Sequence, residues 1–226
     1  MKIAVVAAMR IELMPTIRSL NATRHRVGTV DLYRGGPLTF TVGGIGSRVV
    51  DVTTALVDEI RPDALISTGV VGSLVAQLEV GRLILGGTPE VPADPTLLES
   101  STRVSPEAHV GDVVSVPRVV VDPSERDRIR QAHPHALAVD MESAAIGSIA
   151  RAHGLPFLVA RTVLDTPDQP LASRYERLGS VATEILHRRV SIRAIVQDIQ
   201  RARLAAARLA RFFEGLSRAL DGSGST

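Results

Sequence analysis

The chain has 226 residues, 45% of them hydrophobic, with a formal net charge of only +2. That is enough for one substantial core and too little charge for a general nucleic-acid binder. The absence of Cys rules out a disulfide framework and a thiolate metal site, and 3% aromatics with no Trp make the core aliphatic.

"KIAVVAAM" at the N-terminus reads as a buried strand, with no cleavable signal pattern before it, and "RIELMPTIRSL" as a short helix. "LTFTVGGIG" is a strand ending in glycines, "SRVVDVTTALVDEIRP" a helix stopped by Pro62, and "DALISTG" another buried strand. The Pro- and Ser-rich stretch 87–106 reads as loop. "GDVVSVPRVVV" resumes strands, 123–131 is a helix, and "ALAVDM" is a strand opening into a helix over 142–153. Gly154 and Pro156 stop that helix, "FLVARTVLD" is a strand, "TPDQP" a turn, and the chain is helical from Ser173 onward. Continuous apolar strands between amphipathic helices predict a three-layer α/β fold, its central sheet mixed but mostly parallel and flanked by helices. No repeat or linker divides it, so residues 1–220 form one domain. It includes a basic amphipathic helical extension over 187–220, followed by a flexible tail at 221–226. No run is long and apolar enough to span a bilayer, which fits a cytoplasmic location.

Glycines recur at strand ends in "GGIG" (43–46) and "STGVVGS" (67–73), and neither matches a dinucleotide or P-loop fingerprint. Each alone is a tight turn; together they leave bare backbone where ligands approach open α/β sheets, beyond the strands' carboxyl ends. Carboxylates fall in the same places. Glu12 follows the first strand, Glu142 follows "ALAVD", and Asp165 ends "FLVARTVLD". Singly, each satisfies a helix dipole; three at equivalent strand ends favour a shared cleft.

These pieces resemble the nucleoside phosphorylase and nucleosidase superfamily, and within it the 5′-methylthioadenosine/S-adenosylhomocysteine nucleosidases. The resemblance is carried by "MKIAVVAAMRIE", "GGIG", "ISTGVVGSL", "AVDMESAAI" and "PFLVARTVLDTPD". It implies hydrolysis of the N-glycosidic bond of a 5′-substituted adenosine, with a nucleoside as the small-molecule partner, a homodimer as the working unit, and neither cofactor nor metal. Asp165 would protonate purine N7 and Glu12 would deprotonate the attacking water. Glu142 would hold the ribose hydroxyls with Met141 against the sugar, and Arg161 would orient the carboxylates and water. Met9, Ile45 and Val70 would line the cleft, and Val119 and Val120 would flank the base. The chemistry asks for such a set, because breaking the bond builds oxocarbenium-like charge while one acid must stay protonated. Asp140 either supports the site from behind or caps the following helix.

The sequence departs from the family pattern in several places. No aromatic stands near Val119 to stack on adenine, Val70 replaces a hydroxyl-bearing residue, and Leu164 replaces a small polar one. A short 87–110 loop implies an open 5′ side. In 187–220 an apolar stripe through Ile192, Ile195, Val196, Ile199, Leu209, Phe213, Leu216 and Leu220 runs beside arginines. It packs on the domain or a partner subunit, or else contacts the inner face of a membrane. The second reading is similar to the hopanoid-biosynthesis nucleosidases, which act on an adenosyl-lipid. Two alternatives stay open: phosphorolysis using Arg10, Arg48 and Arg161, and a non-catalytic nucleoside-binding module.

Overall fold

A computed structural model describes residues 1–169 and 192–222. Ten strands and six helices alternate along the described chain. The strands are β1 (Ile3–Ala7), β2 (Thr23–Val27), β3 (Val30–Gly35), β4 (Leu38–Val42), β5 (Ala64–Ser73), β6 (Leu83–Gly86), β7 (His109–Val110), β8 (Asp112–Ser115), β9 (Ala136–Asp140) and β10 (Phe157–Asp165). The helices are α1 (Arg10–Ser19), α2 (Ser47–Ile60), α3 (Pro95–Val104), α4 (Pro123–Ala132), α5 (Ser143–Ala152) and α6 (Ile192–Gly222). The strands form one sheet in the order β2-β3-β4-β1-β5-β10-β6-β7, with β9 joining β8 to β5.

The expected three-layer, mostly parallel architecture is the one observed. β4, β1, β5 and β10 run parallel at the centre, while β2, β3 and β6 join antiparallel. Both faces of the central strands are buried, as their unbroken apolar runs require. Ile3, Val5 and Ala7 point into one core with Leu13, Leu158 and Phe213. Ala4 and Val6 point into the other, with Val49, Leu56, Ile146 and Phe157. β5 is long enough to serve two purposes. Its first half lies between β1 and β10, and its end, Gly72 and Ser73, pairs antiparallel with Val139 and Ala138 of β9. The carboxyl ends of β1, β5, β9 and β10 therefore meet in one region.

Several expectations need correction. The stretch read as loop contains α3, which opens on Asp94, whose carboxylate accepts from Leu97 N–H at 2.8 Å, and on Pro95 in the first turn. The strand expected through "PRVVV" ends at Ser115. The β2–β3 hairpin and β6 are additions. In α6, Leu209, Phe213 and Leu216 are buried in the core, Phe213 edge-on to Phe40 with ring centroids 5.4 Å apart. Leu220 packs against the same cluster, whereas Ile199 is exposed. The helix is thus packed on its own domain, and that much of the apolar stripe is used there. The side chains of Ile192, Ile195 and Val196, the helical expectation over 173–191, Pro170 of the turn and tail residues 223–226 lie outside what is described. Asp221 and Gly222, expected in the tail, end α6.

Candidate active site

Each sequence-derived carboxylate reaches its position for a local reason. Glu12 sits in the first turn of α1, where one oxygen accepts the Met9 N–H at 2.8 Å. Its other oxygen accepts the Val70 N–H from β5 at 3.0 Å, so the side chain ties two strand ends together. Gly69 makes this possible. Its φ of +136° is a glycine-favoured conformation, and a Cβ there would lie 2.5 Å from Arg161 Nη1 and 2.6 Å from Glu12 Oε1. Glu142 immediately precedes α5 and is 7% exposed. Asp165 ends β10 at a register shift against β5, which brings it beside Gly72.

These three groups line one cavity of about 310 Å³ at the strands' carboxyl ends, with mainly apolar walls. Met9, Ile45, Val70, Val119, Val120 and Met141 line it too, as does Leu164. Arg161 does not. It is 1% exposed and lies behind the wall, paired with Asp140 at 2.7 Å and donating to Ser67 Oγ and Ser143 Oγ at 3.0 and 3.1 Å. Asp140, expected behind the site or at the start of the helix, lines the cavity itself. It pairs with Arg161, and it accepts from the Ser143 N–H and hydroxyl where α5 begins.

Burial pushes the Glu12 carboxyl above its ordinary range, against the opposing pull of Arg161 and the two backbone N–H groups. Burial likewise lifts Glu142 to about 7; Arg161 opposes this, and Asp140 and Glu12 add to it. The sign for stability follows. Above the ordinary carboxylate range the unfolded chain has lost this proton while the folded chain retains it. Stability therefore falls as pH rises toward 7, by an amount on the order of 3 kcal/mol from Glu142. Glu142→Gln should match the wild type in denaturant midpoint near pH 4.5 and exceed it increasingly toward pH 7.5. Parallel pH dependences would remove this account of the buried carboxyl.

Residues that the sequence reading missed complete the cavity. Asp198, Ile199 and Ala202 of α6 form one wall, whereas no residue of 87–110, whose shortness was expected to leave the 5′ side open, lines the cavity. Ile11 and Arg126 also line it. A larger groove of about 680 Å³, lined by Lys2, Arg26, Arg34 and Glu59 together with Val27, Leu32 and Ile60, lies at the opposite ends of β1 and β4. Among the described residues no group of His, Asp and Glu is arranged to hold a metal ion.

The family model described as "Phosphorylase superfamily" matches residues 2–88 and 86–211. The 5′-methylthioadenosine/S-adenosylhomocysteine nucleosidase of Tolumonas auensis is 27% identical over 217 residues, covering 81% of this chain and 94% of its own. Its counterpart from S. pneumoniae, solved with the transition-state inhibitor MT-ImmA, superposes with a TM-score of 0.77 at 22% identity, covering 98% of this chain and 100% of its own. Futalosine hydrolase of Helicobacter pylori superposes with a TM-score of 0.75 at 18% identity, covering 98% and 97%.

Proposed function

We propose that this chain, which belongs to the phosphorylase superfamily, hydrolyses the N-glycosidic bond of a 5′-substituted adenosine and releases adenine. The observation that carries the reading is the convergence of Glu12, Glu142 and Asp165 on one apolar cavity. A binding module needs no such excess of acids, each of them costly to bury. In this reading Asp165 gives its proton to purine N7, so the base departs neutral. Glu12 takes a proton from the water that attacks C1′. Glu142 holds the ribose hydroxyls and, once ionised, offsets charge on the sugar. Met141 lies against the sugar and the Val119–Val120 segment against the base. Arg161 acts from behind, fixing Asp140 and the start of α5.

Water rather than phosphate as the nucleophile is supported by what surrounds the cavity. An anion cradle needs cationic donors at its surface. The two arginines that line the cavity are engaged, Arg118 with Glu125 and Arg126 with Asp165; Arg10 and Arg48 are not among the lining residues, Arg161 is paired with Asp140, and Val70 presents no hydroxyl. The names of the relatives support the same choice. Incubation with methylthioadenosine should yield adenine at the same rate with and without phosphate. Turnover that scales with phosphate and yields 5-methylthioribose 1-phosphate overturns the reading.

The rim of the cavity bears Ile11, Ile45 and Ile199, each more than a third exposed. That rim suits an apolar 5′ substituent, whether a methylthio group or a lipid chain. Exposed Ile45 and Val50 also offer a second copy an apolar surface, and we read the working unit as a homodimer, checked by sedimentation. No helix among the described residues is long and apolar enough to cross a membrane. Contact with an anionic membrane would rest on the exposed Arg203, Arg208, Arg211 and Arg218 of α6.

A further inference from the structure

Helix α4 has one buried residue, and it is an arginine. Arg126 is 1% exposed, whereas its nine helical neighbours are partly or fully exposed. A buried guanidinium is costly unless its donors are matched. Here Nε and Nη2 donate to Val120 O at 3.2 and 2.8 Å, Nη1 donates to Ser73 O at 2.9 Å, and Nη2 also donates to Asp165 Oδ2. One side chain thus joins the end of β5, the 116–122 segment and the end of β10. Gly72 leaves the room for it, since a Cβ there would lie 3.2 Å from Asp165 Oδ1 and 3.4 Å from Arg126 Nη2.

We infer that Arg126 is a positioning residue which holds Asp165 as a carboxylate in the empty cavity, so that purine binding is coupled to uptake of one proton by Asp165. The inference rests on the reading of Asp165 as the acid. A guanidinium in contact with a carboxyl favours its ionised form. An ionised carboxylate, however, repels the N7 lone pair, so base and carboxylate fit together only after a solvent proton is taken up on Asp165. As the C1′–N9 bond breaks, its electron pair leaves with the base and the proton moves from Asp165 to N7. The carboxylate then forms again beside Arg126, which compensates its charge. Water supplies OH to C1′ and its other proton to Glu12, which returns it to solvent, so protons balance over the cycle. The same contacts occupy Val120 O with two donors, so a purine amine approaching that carbonyl must share it.

Among the described residues, the other charged groups around the cavity do not duplicate this role. Glu12 comes from α1, Asp140 and Glu142 from the β9–α5 junction, and Asp198 from α6, all acidic; Arg118 lies on the segment before α4 and pairs with Glu125 at 2.9 Å. Arg161, on β10 itself, is paired with Asp140.

The test is calorimetric titration of the protein at pH 7 with the carbocyclic analogue of methylthioadenosine, which is not hydrolysed and whose N9 substituent leaves N7 a bare lone pair, in buffers of different ionisation enthalpy, together with pH profiles of kcat/KM. The wild type should take up close to one proton per analogue bound. Arg126→Met should take up far less, and the alkaline limb of its kcat/KM profile should move up by about one pH unit or more, since the acid loses the Arg126 cation. Arg126→Lys keeps the charge and should leave that limb in place, while losing stability from the unmatched Val120 and Ser73 carbonyls. Binding of the analogue to the wild type without proton uptake overturns the inference, whatever the variants do. An unmoved limb in a folded Arg126→Met does the same and reduces Arg126 to a structural tie. Asp165→Asn separates the two claims. If it turns over like the wild type, the acid assignment fails; if it is inactive and the wild type takes up no proton, only the inference about Arg126 fails.

Discussion

Asp165→Asn should lower kcat by about 10²–10⁴-fold, the range that a positioned general acid supplies, with adenine affinity changed far less. An amide can still donate N–H to N7, so contact with the bound base survives. It has no proton to transfer when the base departs, so the loss falls on the transition state. The structure adds a complication that has its own control. Asp165 is 4% exposed and paired with Arg126, and removing one member of a buried ion pair costs about 3–5 kcal/mol because the other charge is left uncompensated. The single variant should therefore unfold at lower denaturant than the wild type. Adding Arg126→Met should restore much of that stability without restoring turnover. A folded Asp165→Asn protein with unchanged rates would end the assignment. So would recovery of turnover in the double variant, which would mean that the single change acts through stability alone.

The parts of this fold legible in the sequence are those where burial writes a regular pattern. β1, β5 and β10 are buried on both faces, so their apolar runs are continuous and their ends are marked by glycine or a carboxylate. What escaped was irregular or polar. α3 buries only Leu97 and Ser101, so its apolar face is too thin to stand out from the prolines and serines around it. β2, "TRHRV", is an edge strand with four of its five residues exposed, and its charges leave no apolar alternation to mark it. The site divides in the same way. Carboxylates at strand ends announce themselves, and Met9, Ile45 and Val70 follow because they lie next to those ends or to the glycine turns. Arg126 sits in "SERDRIRQA", where one buried arginine among exposed charges leaves no periodic trace. Arg161 was placed at the site by resemblance, and its two neighbouring pairs, with Asp140 and with Ser67 and Ser143, put it one layer back. Side-chain direction across a wall is decided by partners distant in sequence, which a pattern along the chain does not carry.

Glu12→Gln should match the Asp165 variant in size, with a loss of about 10²–10⁴-fold in both kcat and kcat/KM, and it should also erase part of the acid limb. The base must be ionised to accept a proton from water. Burial raises its pKa despite Arg161 and the Met9 and Val70 N–H groups, so competence is lost as pH falls through a value above the ordinary carboxylate range. Wild-type kcat/KM should accordingly begin to fall at a higher pH than free glutamate would dictate. Glu142, lifted to about 7, titrates in the neighbouring interval, and because the two acids interact, the wild-type limb belongs to the pair. The variant separates them. With glutamine at position 12 the remaining limb reports Glu142 alone and should lie lower, since loss of the Glu12 charge removes one of the influences raising Glu142. The amide can accept only one of the two N–H groups now bound, from Met9 or Val70; the other is left facing an NH₂ group. A stability loss of about 1–3 kcal/mol should accompany the change. Adenine release between pH 4.5 and 8.5 measures the rates and limbs, and denaturant unfolding measures the stability. A Glu12→Gln protein within tenfold of the wild-type rate, with its acid limb in the wild-type position, would mean that Glu12 braces β1 against β5 and that the water is activated by another group.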